Sequence, residues 1–262
     1  MTGRKVLELR TGQVDVWLTS LSVLGDSQQL AYLRILPESE RAKWQRFAVR
    51  SARLQYLLTR VLIRTTLSRY AEVPEAAWQF ETNRYGRPHV SHPPEFRGIE
   101  FNLSNTDGLV TCAVSRNREI GIDIENIGRA LDADALAPTV FAPKELADFR
   151  RTPSETRRIR FFSYWTLKES YIKARGMGLS IPLDAFWFEL GGASPLLRVT
   201  DRCPDVPERW RFFQYTPTDK HRMAVAVTTP WGVEPSIQLR WVTPMSLDQD
   251  EVAALELRGL QQ

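Results

Sequence analysis

Two acidic side chains alternate with apolar ones in the segment Gly121-Ile122-Asp123-Ile124-Glu125. Successive side chains of a β-strand point to opposite faces, so Asp123 and Glu125 are expected to share one face. Carboxylates about 7 Å apart on such a face can converge on one hard divalent cation. An ordinary half-exposed strand has the same alternation, and a metal site would need a third oxygen ligand from another element.

A third carboxylate lies in a segment with helical periodicity that contains Trp165, Glu169 and Lys173. Their spacing of i, i+4 and i+8 places the three side chains on one face of a helix. Taken alone, Glu169 and Lys173 are better explained as a surface ion pair worth about 0.2 to 0.5 kcal/mol, and Trp165 as a core residue. This helix nevertheless offers Glu169 as a candidate for the third oxygen ligand.

Five arginines recur at spacings of four, three, seven and four residues, which stacks them on one side of a long helix. They are Arg46, Arg50, Arg53, Arg60 and Arg64. A solvated basic face is the simpler interpretation of this stripe, and a wall that contacts phosphate groups is the alternative.

Hydrophobic periodicity indicates the elements that must position these residues. Strands are predicted at Val14 to Leu18, Ile99 to Leu103, Leu109 to Val114, Glu119 to Glu125, Phe186 to Leu190, Trp210 to Tyr215 and Met223 to Thr228. Helices are predicted at Glu38 to Tyr70, broken once, at Pro143 to Arg150, at Thr156 to Ala174 and, in pattern, at Leu247 to Gln262. The order of strand, helix and strands occurs twice, which predicts an α+β protein of two similar lobes.

Three segments in order resemble the 4′-phosphopantetheinyl transferase family of the surfactin-synthetase-activating type. They are GIDIE at 121–125, WxxKExxxKA at 165–174 and GxGLSxPL at 176–183. Each is moderately specific alone, and the three together are highly specific. The resemblance extends upstream to YGRP at 85–88 and to FNLS at 101–104.

The resemblance implies an enzyme that transfers the 4′-phosphopantetheine group of coenzyme A to a serine of an apo acyl or peptidyl carrier protein. The reaction would release 3′,5′-ADP and depend on Mg²⁺. The implied fold is α+β, with two similar, pseudo-symmetric α/β lobes in one chain and the active site at the lobe interface. The expected lobes are residues 1–117, with the nucleotide-end contacts, and residues 118–262, with the magnesium site and the catalytic helix.

Carried over by position, the resemblance implies that Asp123, Glu125 and Glu169 coordinate Mg²⁺. Glu169 is also the candidate base for the carrier serine, directly or through a water. Lys173 would neutralise the negative charge that develops during transfer. Lys168, rotated by about 100° from Glu169 around the helix, is expected to meet a phosphate rather than the metal.

Four further residues are expected to contact coenzyme A. Arg87 of YGRP stands where the family has a basic residue at the nucleotide end, and Arg53 of the arginine stripe is a weaker candidate. Ser104 closes FNLS, and Asn105 follows it where the family commonly has a histidine that helps to hold the 3′-phosphate.

The composition limits the other kinds of site and partner. The two cysteines and three histidines among 262 residues lack metal-ligand spacing, so oxygen ligands must hold any metal. The amino terminus has no apolar targeting segment and no run approaches the length of a membrane span, so we expect a cytoplasmic protein without a membrane partner. A net charge of +4 suits an acidic carrier protein and a polyanionic cofactor. The length resembles that of the monomeric branch of the family.

Two functions of other classes are also considered. The arginine stripe could bind nucleic acid, but no recognition-module signature accompanies it, so no nucleic-acid partner is expected. A catalytically idle scaffold that binds carrier proteins is the second alternative. It would have no need of three converging carboxylates, so the intact acidic residues argue against it.

The Asn105 departure predicts weaker recognition of the 3′-phosphate, because an asparagine can donate a hydrogen bond but carries no charge. We expect a smaller ratio of kcat/KM for coenzyme A over 3′-dephospho-coenzyme A than in an Asn105→His variant. Steady-state kinetics with both donors measure this ratio, and equal ratios in the two proteins would contradict the prediction.

Overall fold

The structure, a computed structural model, describes residues 6–246 and combines helices with sheets, as the sequence predicts. The helices are α1 (Asp26–Ile35), α2 (Glu38–Gln45), α3 (Arg50–Leu67), α4 (Ala133–Val140), α5 (Pro143–Arg151) and α6 (Ser154–Arg175). The strands are β1 (Gln13–Ser20), β2 (Gln79–Thr82), β3 (Pro88–His92), β4 (Ile99–Thr106), β5 (Leu109–Arg116), β6 (Ile120–Asn126), β7 (Phe186–Glu189), β8 (Leu196–Val199), β9 (Trp210–Tyr215), β10 (His221–Thr228) and β11 (Ser236–Trp241). No helix in this described part of the chain is long and apolar enough to cross a membrane.

The first of two compact units comprises residues 6–81, 88–117 and 236–246 of the described chain. Its main sheet has the strand order β11-β1-β5-β4, in which β1 runs parallel to β11 and antiparallel to β5. Helix α3 contributes a nearly continuous row of buried side chains from Leu57 to Leu67, and they join the core that includes Trp17 and Val114. The amphipathic face of one long helix therefore covers this sheet.

The second unit comprises residues 82–87 and 118–235. Its main sheet has the order β6-β10-β9, with both pairs antiparallel, and helix α6 packs against β6 and β10. Strands β7 and β8 form a separate antiparallel pair. Aromatic rings from α5, α6, β7 and β9 fill the core of this unit.

The two main sheets repeat one topology. In the first unit β1 pairs with β5, which pairs with β4, and in the second unit β6 pairs with β10, which pairs with β9. In each unit the first of these strands, β1 or β6, is followed in sequence by a long helix, α3 or α6, and then by the antiparallel pair β4–β5 or β9–β10. The first strand pairs antiparallel with the second strand of that pair, β5 or β10. Strand β11 is an addition to the first sheet that has no equivalent in the second within residues 6–246.

The two compact units differ from the two predicted lobes in where two segments of the chain belong. Residues 82–87 belong with the second unit, where the Asn83 side chain donates to the Gly176 carbonyl oxygen at 2.8 Å. Residues 236–246 belong with the first unit, because β11 pairs with β1. The predicted division of functions between the two lobes stays a prediction.

Most predicted elements are confirmed within a few residues, including the break in the first long helix, which falls between α2 and α3. Helix α6 ends at Arg175 and is capped by Gly176, whose backbone has a left-handed φ of 60°, as the sequence predicts. Helices α1 and α4 and strands β2, β3, β8 and β11 were not predicted. The helical pattern at 247–262 lies outside the described residues.

Lys168 does not have the predicted role. Its side chain is fully buried, and its ammonium group donates to Glu145 Oε2 at 2.7 Å and to the Phe186 carbonyl oxygen at 2.8 Å. Glu145 accepts in addition from the backbone nitrogens of Ala142 and Phe188. An ammonium group buried in this way cannot reach a phosphate that binds from solvent, so Lys168 joins α6 to α5 and β7 instead.

Loss of one partner should expose the cost of this buried charge pair. Lys168→Met leaves the Glu145 carboxylate buried without its cation, and burial already raises the pKa of that group. We expect the free energy of unfolding to fall by about 3 to 5 kcal/mol. Urea unfolding measures the change, with the exposed Lys220→Met as the matched control. A loss no larger than in that control would show that the pair is not needed for stability.

Candidate active site

A glycine allows strand β6 to lie directly against helix α6. A Cβ atom built at Gly121 would lie 2.0 Å from the Ser170 carbonyl oxygen and 2.5 Å from the Ala174 nitrogen, which are impossible distances. Asp123 is two residues further along β6 and points to the same face as Gly121, because side chains alternate along a strand. The glycine of the GIDIE segment therefore brings the carboxylates of the strand to the helix that contains Glu169 and Lys173.

Asp123 and Lys173 are in direct contact. The Lys173 ammonium group donates to Asp123 Oδ1 at 2.6 Å and to the Ile122 carbonyl oxygen at 3.2 Å. The Asp123 side chain is 7% exposed and that of Lys173 is 28% exposed, so the pair lies at the edge of the core. Lys173 is thus held beside the acidic strand and is not a solvated surface lysine.

Glu125 accepts one contact on each carboxylate oxygen. The indole nitrogen of Trp165 donates to Oε1 at 3.0 Å, and the Arg129 guanidinium group lies 3.1 Å from Oε2. Burial, followed by the charge of Asp123, raises the pKa of Glu125, and Arg129 and Lys173 oppose that rise. The carboxylate therefore has a fixed orientation in a crowded acidic environment.

Glu169 completes the acidic group. Burial is the main cause that raises its pKa to about 6, and the charge of Asp123 adds to it, with a smaller addition from Glu125. Lys173 opposes the shift. The three predicted ligands are thus near enough to repel one another, and the repulsion favours a further positive charge among them.

The donor set fits a hard divalent cation. All three groups offer only carboxylate oxygens, which Mg²⁺ prefers, and a cation among them would offset the mutual repulsion that adds to burial in raising the pKa of Glu125 and of Glu169. Within residues 6–246, however, no three acidic, histidine or cysteine side chains are oriented so that together they could hold a metal ion. The carboxylates are neighbours whose side chains would have to turn toward a shared ion.

Arg87 makes contacts that were not predicted. Its guanidinium group donates to the carbonyl oxygen of Ala174 near the end of α6, and to that of Ile120 at the start of β6, the latter at 3.3 Å. Arg87 therefore joins the two elements that contain the acidic group. Contact with the nucleotide end of coenzyme A stays a prediction for this residue.

The other predicted coenzyme A residues lie in the first unit. Arg53 on α3 stacks over the Trp44 ring with 5.1 Å to the ring centroid. Ser104 is buried in β4, and its neighbour Asn105 is exposed and donates to the Thr59 hydroxyl at 3.4 Å. A cleft of about 610 Å³ also opens in this unit, along α2 and the two residues that follow it. Its lining residues are Ser39, Ala42, Lys43, Arg46 and Phe47.

The arginine stripe is not one continuous basic surface. Arg60 and Arg64 both pair with Glu40, and Arg64 also donates to the carbonyl oxygens of Glu75 and Trp78. Arg64 is 1% exposed. Two of the five arginines therefore stabilise the first unit from within, which weakens the nucleic-acid alternative.

Sequence spacing does not identify two residues that contact Glu125. Trp165 packs against the core, as predicted, and its indole nitrogen also donates to Glu125. Arg129 lies four residues after Glu125, but it follows the end of a strand, where no helical spacing suggests a contact. The i−4 position of Trp165 relative to Glu169 was the available signal for the first, and none pointed to the second.

Comparison with known proteins gives one consistent result. Residues 119–226 match the model of the 4′-phosphopantetheinyl transferase superfamily, and residues 25–117 match that of the 4′-phosphopantetheinyl transferase N-terminal domain. The chain is 31% identical to the 4′-phosphopantetheinyl transferase HetI of Nostoc sp. strain PCC 7120, over 84% of this chain and 90% of that protein.

Two further relatives are 4′-phosphopantetheinyl transferases of bacilli. Sfp of Bacillus subtilis strain 168 is 28% identical over 79% of this chain and 88% of that protein. The enzyme gsp of Aneurinibacillus migulanus is 38% identical over 51% of this chain and 53% of that protein. In the structure, strand β6 with the GIDIE segment packs against helix α6 with the WxxKExxxKA segment. Together with this packing, the matches show that the chain belongs to the 4′-phosphopantetheinyl transferase superfamily.

Proposed function

We propose that the chain transfers the 4′-phosphopantetheine group from coenzyme A to a serine hydroxyl of an apo carrier protein, in a reaction that requires Mg²⁺. The observation that carries this proposal is the packing of β6 against α6, which puts Asp123 in contact with Lys173 and brings Glu125 and Glu169 within electrostatic range of Asp123. Family membership supports the reaction class. The three carboxylates support the metal.

Each bond change can be assigned to a group. The serine oxygen attacks the β-phosphorus of coenzyme A, a new oxygen–phosphorus bond forms, and the bond to the departing 3′,5′-ADP breaks. Glu169 accepts the serine proton, directly or through a water. Lys173, held at the acidic strand by Asp123, balances negative charge on the phosphoryl oxygens. A bound Mg²⁺ would supply further charge neutralisation on the pyrophosphate, with Asp123, Glu125 and Glu169 as its protein ligands.

The nucleotide end of coenzyme A is assigned by charge and exposure. Asn105 and Arg53 offer a hydrogen-bond donor and a cation in the first unit, and Ser104 lies beside Asn105. The cleft with Lys43 and Arg46 offers positive charge for phosphate groups. Arg87 contributes in this proposal mainly by holding the end of α6, with any nucleotide contact secondary.

The partner in this proposal is an acidic carrier domain of the acyl, peptidyl or aryl type. The net charge of +4 favours association with an acidic protein through electrostatic steering. We propose further that the chain acts as a cytoplasmic monomer.

Transfer should depend on both the metal and Glu169. The protein is incubated with apo acyl and apo peptidyl carrier proteins, coenzyme A and Mg²⁺, and the carriers are examined by mass spectrometry for a phosphopantetheine addition. We expect Glu169→Gln to lower the rate by about 100- to 10,000-fold, because a base and a metal ligand are both lost. EDTA should abolish the reaction. The control is Glu155→Gln, an exposed carboxylate of the same helix.

The transfer proposal would be overturned by wild-type protein that modifies none of the carriers. Unimpaired transfer by Glu169→Gln, or transfer that persists in EDTA, would instead overturn the assignment of the site.

Trp165→Phe tests the hydrogen bond to Glu125 separately. The substitution keeps an aromatic ring against Phe161 but removes the indole donor that orients Oε1. We expect the Mg²⁺ concentration for half-maximal transfer to rise by about 10-fold or more, because donors to a ligating carboxylate tune metal affinity. Initial rates over a Mg²⁺ series give this concentration, and an unchanged value would show that the indole only packs.

A further inference from the structure

Glu125 receives its two donors from residues of different charge. Trp165 is a neutral donor on α6, whereas Arg129 is a cation on the loop that follows β6. Each carboxylate oxygen has two lone pairs, so these contacts leave room for a cation at the same group. The two donors must nevertheless have opposite effects on the binding of a cation at Glu125. The neutral indole only orients the carboxylate, whereas the guanidinium group repels the cation.

Arg129 is held in this position by its backbone and by its side chain. Arg158 of α6 donates to the carbonyl oxygens of Ile127, Arg129 and Leu131, the last at 2.8 Å, and so fastens the loop to the helix. The Arg129 guanidinium group lies over the Phe162 ring at 5.6 Å from the ring centroid. Its placement beside Glu125 is therefore built into the unit.

The partial burial of Glu125 and Arg129 strengthens the electrostatic interaction between them. The Glu125 side chain is 12% exposed and that of Arg129 is 37% exposed. A carboxylate this shielded interacts with a nearby charge more strongly than a surface group does, although the partly exposed guanidinium group reduces the effect. Trp165 already fixes the orientation of Glu125, so the main effect left to Arg129 is its charge.

We propose that Arg129 is an internal counter-cation that competes with the divalent ion for Glu125 and thereby sets the metal affinity of the site. This inference rests on the proposed function, in which Glu125 is a metal ligand. It assigns to Arg129 a role opposite to that of Trp165. Removing the neutral donor weakens metal binding, and removing the charged donor strengthens it.

The test is direct binding of Mn²⁺ alone, followed by the loss of the free-ion signal in electron paramagnetic resonance, without coenzyme A or carrier. We expect Arg129→Gln to bind Mn²⁺ about 5-fold more tightly than wild type, which corresponds to about 1 kcal/mol. Arg129→Lys keeps the charge and should stay close to wild type. Trp165→Phe should bind more weakly.

One control variant separates this result from other causes. Arg157→Gln removes an arginine charge on α6 that pairs with Asp134 and not with Glu125, so it should leave Mn²⁺ affinity unchanged. Tighter binding also cannot arise from a damaged fold, which would weaken the site. Equal or weaker binding by Arg129→Gln would overturn the proposal, and so would equally tight binding by Arg129→Lys, because charge would then not be the cause.

The variant Glu125→Gln distinguishes rejection of the role of Arg129 from rejection of the metal site in the proposed function. If Glu125→Gln loses Mn²⁺ while Arg129→Gln gains nothing, the metal site stands and the role of Arg129 is rejected. If Glu125→Gln binds Mn²⁺ as wild type does, or if no variant binds it, both the metal site and the role of Arg129 are rejected.

Discussion

The close approach of β6 to α6 at Gly121 is the constraint on which the acidic group depends. No side chain larger than hydrogen fits there, because a Cβ atom would lie inside the backbone of α6. The same approach sets the reach of two longer side chains, since Lys173 can bridge to Asp123 only if strand and helix are nearly in contact. If β6 were farther from α6 by the thickness of one layer of side chains, its carboxylates would face solvent and would not contact Lys173. The chemistry proposed for this chain is in this sense a consequence of one missing methyl group.

Two lysines of one helix show how burial divides similar residues between stability and chemistry. Lys168 and Lys173 are five positions apart, and only the first is fully enclosed, with Glu145 as its counter-charge. That pair joins three elements of the second unit and so limits how far α6 can move relative to α5 and β7. Lys173 keeps part of its surface in solvent and faces the carboxylates. The buried Lys168–Glu145 pair holds one side of α6 in place. The other side of the helix can therefore present Lys173 and Glu169 in a constant arrangement.

The sequence predicts the long, strongly periodic elements and the residues of the acidic group, because alternation and helical spacing act over many positions. It does not predict short strands such as β8, or β11, whose partner β1 is more than 200 residues earlier in the chain. It also misplaces Lys168, since spacing gives the direction of a side chain around a helix but not what packs on that side. Arg129 was missed for a related reason, because its contact with Glu125 depends on a loop that Arg158 fastens.

Strand β11 has a consequence for the order in which the protein is made. The first sheet needs residues 236–241 to cover the outer side of β1, so it stays incomplete until the whole of the second unit has left the ribosome. The second sheet, β6-β10-β9, draws all its strands from one stretch of about a hundred residues and can form as soon as β10 emerges. The half of the protein that is synthesised first is therefore the half that finishes folding last, and until then β1 presents an open edge.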